Sequence, residues 1–104
     1  MNYWSATRCK EMIDSNQALA IDIREPYEFT YVNCGFKNIP MAELTSFLST
    51  HDRSFPIILM CQSGRRAQAA GNLIETELGF KEVIILEDGI QGWKNEIYNT
   101  LTLD

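Results

Sequence analysis

The sequence predicts an α/β fold in which a mostly parallel central sheet carries helices on both faces. Three observations carry this. The short, mostly unbroken apolar runs "ALAID" (18–22), "PIILMC" (56–61) and "EVIIL" (82–86) have the length and hydrophobicity of strands buried on both sides. Segments with helical periodicity lie between them. The 104 residues, 45% hydrophobic and 22% charged, suit one domain spanning 1–104 with its own core.

Each element has a local reason. Ser5 is an N-cap for a first helix over about 6–15, with Met12 and Ile13 on its buried side. The 18–22 run continues to Ile23 as the first buried strand. Pro26 opens a new helical turn, "EPYEFTYV". "NIPMAEL" holds a short extended piece and leads into a helix over about 41–49, and "HDRSF" is a turn. Pro56 starts the next strand, where a missing N–H does least harm. Arg66 to Leu78 is a helix, with Ala67, Ala70, Leu73, Ile74 and Leu78 assigned to its buried face. Gly79 closes it, and Phe80 packs back on the last turn. After the 82–86 strand, "DGIQGWKNEIYN" predicts a final helix with Ile90, Trp93 and Ile97 inward.

Composition narrows the function. A net charge of −5 argues against a nucleic-acid partner, which needs a basic face. Cys9, Cys34 and Cys61 form no CxxC pair, and there is one histidine, so a structural zinc site is not expected; the cysteine chemistry read below calls for no metal or cofactor. An odd cysteine count fits reduced thiols. No apolar run approaches the roughly 18 residues of a membrane span, and the N-terminus lacks the apolar core of a signal peptide. The expectation is a cytoplasmic protein.

The chemistry points to "CQSGRRA". Cys61 ends the most apolar strand, and ligands of parallel sheets bind beyond the carboxyl ends of strands. A thiolate is the nucleophilic form of cysteine, and it is favoured by a helix N-terminus and by nearby cations. Both are at hand. The helix after the loop aims free N–H groups backwards, and Arg65 and Arg66 add positive charge. Gly64 permits a tight fold, and Gln62 and Ser63 are possible further donors. A buried, inert cysteine is the bland alternative. The glycine and two arginines that follow favour a reactive sulfur. His51 has no catalytic neighbour in sequence, which disfavours a Cys–His hydrolase.

Four stretches in order give the chain a resemblance to the rhodanese-like family of sulfurtransferases. "LAIDIREPYEF" is similar to the family's DxRxxxEF signature, "NIP" (38–40) to its extended segment, "CQSGRRA" to its active-site loop and "LGFKEVIILEDGIQGW" to its C-terminal pattern. The resemblance implies a three-layer domain. It also implies a Cys61 persulfide that takes sulfur from a small anionic donor such as thiosulfate and passes it to a thiol or cyanide. The acceptor thiol belongs to a small molecule or a protein. Gln62, Ser63, Gly64, Arg65 and Arg66 are expected to hold the persulfide, with Arg66 stabilising the loop or the anion and Arg65 attracting the donor. Asp22, Arg24 and Glu28 are expected to be structural: Arg24 bridges Glu28 across the strand-to-helix corner, and Asp22 caps local N–H groups. Gly89 and Trp93 are turn and packing residues.

One stretch departs from the family pattern. "TYVNCGFK" lacks the usual histidine and proline, and Cys34 stands in the proline's place. A sulfur relay or a disulfide between Cys34 and Cys61 is one consequence to test; an incidental thiol is the simpler expectation. Cys9 is expected to be buried packing. Three rival functions remain: a cysteine phosphatase, a non-enzymatic binding or regulatory module, and a thiol redox sensor. A phosphatase needs arginine six residues after the cysteine. Here that position is Ala67.

Overall fold

The computed structural model describes residues 1–98. Five parallel strands form one sheet: β1 (Asn2–Trp4), β2 (Leu19–Asp22), β3 (Lys37–Asn38), β4 (Ile57–Met60) and β5 (Val83–Leu86). Their order across the sheet is β1-β5-β4-β2-β3, which places β4 at the centre. All four residues of β4 and of β5 are buried, as continuous apolar runs covered on both faces must be.

The side chains of β4 alternate between two cores. Ile57, Leu59 and Cys61 pack with Leu44 and Leu48 from α3 (Met41–Leu48) and with Ala67, Ala70 and Ile74 from α4 (Arg65–Leu78). Ile58 and Met60 pack on the other face with Ala6 and Cys9 from α1 (Ala6–Asp14) and with Ile90 and Trp93 from α5 (Gly89–Trp93). Helix, sheet and helix therefore make three layers. The short helix α2 (Pro26–Tyr31) buries no residue completely and lies beside the carboxyl end of β2.

The predicted caps are in place. Ser5 Oγ accepts from the Arg8 N–H at 3.3 Å. Gly79 is left-handed at φ 73° and donates to the Glu75 carbonyl at 3.1 Å. Phe80 is buried against the same core. Met12, Ile13 and Ile97 are partly buried against the second core.

Three expectations need correction. β1 was not foreseen: three residues are too few to show a pattern, and only parallel pairing with β5 makes them a strand. Leu73 is 37% exposed. At about 100° per residue it stands roughly 120° from Ala67, outside the stripe that Ala70, Gly71 and Ile74 continue. The final helix is α-helical only to Trp93 and continues as a π-helical turn over Lys94–Tyr98.

Candidate active site

The polypeptide leaves β4 at Met60, and Cys61 is the next residue. Four loop residues later it enters α4. Gly64 makes that turn at φ 101°, in the left-handed region where an L side chain is strained. Its carbonyl accepts from the Gln68 N–H at 3.0 Å and so starts the helix. The turn also points two amides at one sulfur. The Gly64 N–H donates to Cys61 Sγ at 3.1 Å and the Ala67 N–H donates to it at 3.4 Å. Cys61 is only 1% exposed, so the sulfur lies at the floor of the loop rather than on its rim.

Residues distant in sequence hold this loop. The Ile90 N–H donates to the Cys61 carbonyl at 2.9 Å. Gly89, at φ 54°, lies so close that an added Cβ would collide with the Cys61 carbonyl and the Gln62 backbone. On the other flank Arg66 donates through both terminal nitrogens to Glu28, Nη1 to Oε1 at 2.8 Å and Nη2 to Oε2 at 2.9 Å. The hydrogen bond from Arg66 holds the Glu28 carboxyl down at about 2 against an ordinary 4.5. Glu28 in turn raises the guanidinium above its ordinary value, with a smaller contribution from the nearby Cys61. Glu28 Oε1 also accepts from the Glu25 N–H at 3.0 Å, which secures the first turn of α2.

The Arg24–Glu28 bridge expected from spacing does not form. Arg24, 1% exposed, grips Asp22, 0% exposed: Nε donates to Oδ1 at 3.0 Å and Nη2 to Oδ2 at 2.8 Å. Side chains two apart on extended backbone share a face, so Asp22 is the nearer partner. Arg24 Nη2 also donates to the Val32 carbonyl at 2.7 Å. Asp22 does cap a local N–H, that of Arg24, at 3.0 Å. Asn38 Nδ2 donates to the carbonyls of Asp22 and Arg24, each at 2.9 Å. This polar knot fixes the carboxyl end of β2 beside the loop.

The remaining predicted residues divide. Gln62 and Ser63 are exposed, and among the described residues neither side chain bonds to the sulfur. Arg65 is exposed beside a cavity of about 300 Å³ that Tyr3, Gln68, Glu87 and Asp88 also line. Ala67 is the residue that sequence reasoning missed. It was assigned to the core alone, yet its backbone N–H reaches the sulfur; its place in the first turn of α4 was the available signal. Cys34 packs in the second core, with Trp93 and Phe36, whereas Cys61 packs in the first. Burial pushes the Cys34 thiol up to about 12. Cys9 is buried as expected, and burial pushes its thiol to about 12 as well. His51 lies between α3 and β4, in the stretch that leads into the amino end of β4, whereas Cys61 follows its carboxyl end.

Comparison with known proteins gives a consistent picture. The family model of the rhodanese-like domain matches residues 5–96. A thiosulfate sulfurtransferase GlpE from Ectopseudomonas mendocina is 31% identical over 81 residues, covering 77% of this chain and 73% of its own. A putative sulfur carrier protein YrkF from Bacillus subtilis is 31% identical over 86 residues, covering 81% of this chain but only 46% of the relative. Among solved structures, a rhodanese-related protein from Thermoplasma volcanium superposes with a TM-score of 0.78 at 28% identity, over 93% of this chain and 94% of that one. A human single-domain sulfurtransferase superposes with a TM-score of 0.81 at 20% identity, over 92% and 97%, a likeness of fold.

Proposed function

Because the chain belongs to the rhodanese-like domain family, we propose that it is a thiosulfate-type sulfurtransferase, built as one catalytic unit, that carries sulfane sulfur on Cys61. The observation that carries this reading is the pair of amides, from Gly64 and Ala67, aimed at one sulfur atom. Two N–H dipoles at the N-terminus of a 14-residue helix favour negative charge at that point. An uncharged packing cysteine would have no use for them.

The first step is attack of the Cys61 thiolate on the outer sulfur of thiosulfate. A sulfur–sulfur bond forms at Sγ, the sulfur–sulfur bond of the donor breaks, and its electron pair leaves with sulfite. The product is Cys61–S–S⁻. In the second step an acceptor thiolate attacks the outer sulfur of that persulfide. The acceptor leaves as its own persulfide, and Cys61 returns as the thiolate. Total charge is unchanged in both steps, and neither needs a metal or a cofactor. Arg66 steadies the loop through Glu28 while lending positive charge near the sulfur. Arg65, exposed at the rim, attracts the anionic donor. Three unpaired thiols suit a reducing compartment, and we place the protein in the cytoplasm.

The near-complete burial of Cys61 favours one alternative, a non-enzymatic interaction module whose thiol is never reached. Mass spectrometry after thiosulfate treatment separates the two. The enzyme reading expects a gain of about 32 Da, one sulfur atom, that Cys61→Ser abolishes. No gain on the unaltered protein would overturn it.

A further inference from the structure

The turn after β5 packs against the loop. Gly64, whose N–H faces the Cys61 sulfur at 3.1 Å, lies so near that a Cβ on it would stand 4.0 Å from the Asp88 backbone nitrogen. Asp88 holds φ 59°, in the left-handed region where glycine is at ease and few other residues are tolerated. It is also the N-cap of α5, yet its side chain makes no capping hydrogen bond. Glu87 stands next to it. Both are exposed, and among the described residues neither carboxylate has a hydrogen bond or an ion pair. With Arg65 they line the cavity of about 300 Å³. Arg66 is already engaged by Glu28, so the two arginines of the loop meet three carboxylates. Lys94 lies on the α2 side, in the wall of a separate cavity of about 400 Å³ with Tyr27 and Gln62.

We propose that Asp88, with Glu87 beside it, is a specificity-determining residue that opposes Arg65 and disfavours dianionic sulfur donors, so that the site selects a donor of lower charge. The inference rests on the sulfurtransferase reading and narrows its donor. The Asp88 carboxylate serves neither the cap nor a partner, and glycine would fill its backbone conformation at less cost. What the side chain adds beside the loop is negative charge. An approaching anion meets Arg65 and two carboxylates together, so the pull is weaker than the arginines alone would give. Repulsion scales with the donor's charge, so it acts about twice as strongly on thiosulfate, a dianion, as on a monoanion. A thiosulfonate is such a monoanion. Its outer sulfur passes to the Cys61 thiolate as sulfinate leaves with the electron pair of the broken sulfur–sulfur bond.

Reagents that differ by one charge test this. Iodoacetate and iodoacetamide are close in shape, and both consume the Cys61 thiolate, so any change in its ionisation cancels in the ratio of their rates. Asp88→Asn should raise the iodoacetate-to-iodoacetamide ratio at Cys61 about twofold, and Asp88→Asn with Glu87→Gln about fourfold. Both gains should shrink in about 0.5 M sodium chloride, which screens exposed charges. An unchanged ratio, or a gain that salt leaves intact, overturns the proposal. Persulfide formation at limiting donor, followed by mass, should quicken in Asp88→Asn about fourfold with thiosulfate and about twofold with methanethiosulfonate. Equal gains with the two donors overturn the proposal as well. A raised alkylation ratio in a protein that takes sulfur from neither donor supports the charge effect and overturns the sulfurtransferase reading instead.

Discussion

Arg66 and Glu28, 38 residues apart in sequence, meet with both guanidinium ends on both carboxylate oxygens at 2.8 and 2.9 Å. Arg66 stands in the first turn of α4, one residue before the amide of Ala67 that faces the Cys61 sulfur. Glu28 stands in α2, which the sequence joins to the carboxyl end of β2. The pair therefore ties the loop after β4 to the helix that follows β2.

Glu28→Gln should loosen that tie and expose its pH dependence. The folded carboxyl sits at about 2 and the ordinary value is 4.5. A lowered folded value means that the stabilisation is fully present above the ordinary value and is lost as pH falls through the range toward 2. Urea unfolding of both proteins should show the native protein more stable at neutral pH, by no more than about 1 kcal/mol because Arg66 is partly solvated. The gap should close as the pH drops. A gap independent of pH would show that the carboxylate charge is not what Arg66 binds. Arg66→Lys should form the persulfide more slowly than the native protein, because an ammonium cannot make the two-pronged contact with Glu28; an unchanged rate would refute this.

Removing one partner of the buried pair should cost far more. Asp22→Ala leaves the Arg24 guanidinium buried without its counter-charge, and should lower the unfolding free energy by about 3–5 kcal/mol. Asp22→Leu combined with Arg24→Met should cost less than Asp22→Ala alone, because no charge is then stranded. Denaturation midpoints of the two variants decide this, and the reverse order would refute it.

Two left-handed glycines separate strain from collision. Gly79→Ala meets nothing within 4 Å, so it carries only the conformational cost, about 1–2 kcal/mol. Gly89→Ala meets the Cys61 and Gln62 backbone as well. It should cost more than Gly79→Ala, and whatever protein still folds should take up sulfur poorly because its loop is displaced. Equal stability and equal sulfur uptake for the two variants would contradict this.

Cys34 packs apart from Cys61, in the opposite core. Burial holds its thiol near 12, so it is protonated and slow to react at neutral pH. Cys34→Ser should therefore leave sulfur transfer and peroxide sensitivity unaltered. In the unaltered protein, iodoacetamide should label Cys61 well before Cys34 or Cys9. Loss of transfer in Cys34→Ser would revive a relay between the two sulfurs.

Much of the molecule was legible along the chain. Ile57–Met60 and Val83–Leu86 are apolar without interruption, and a parallel sheet covered on both faces has no other place for such runs. A cysteine at the end of one of them, followed by glycine and then a helix, marked the loop, because helix amides and a left-handed turn are local consequences of local sequence. Spacing suggested Arg24 with Glu28; Arg24 instead takes Asp22, two residues back on extended backbone. Tertiary structure alone gave Glu28 its partner, Arg66, 38 residues away. It also made a strand of Asn2–Trp4 through pairing with β5, and brought Tyr27, Gln62 and Lys94 around one cavity. Hydrophobic periodicity and turn conformation are written within a few residues, whereas the partner of a long charged side chain depends on which distant elements packing sets beside it.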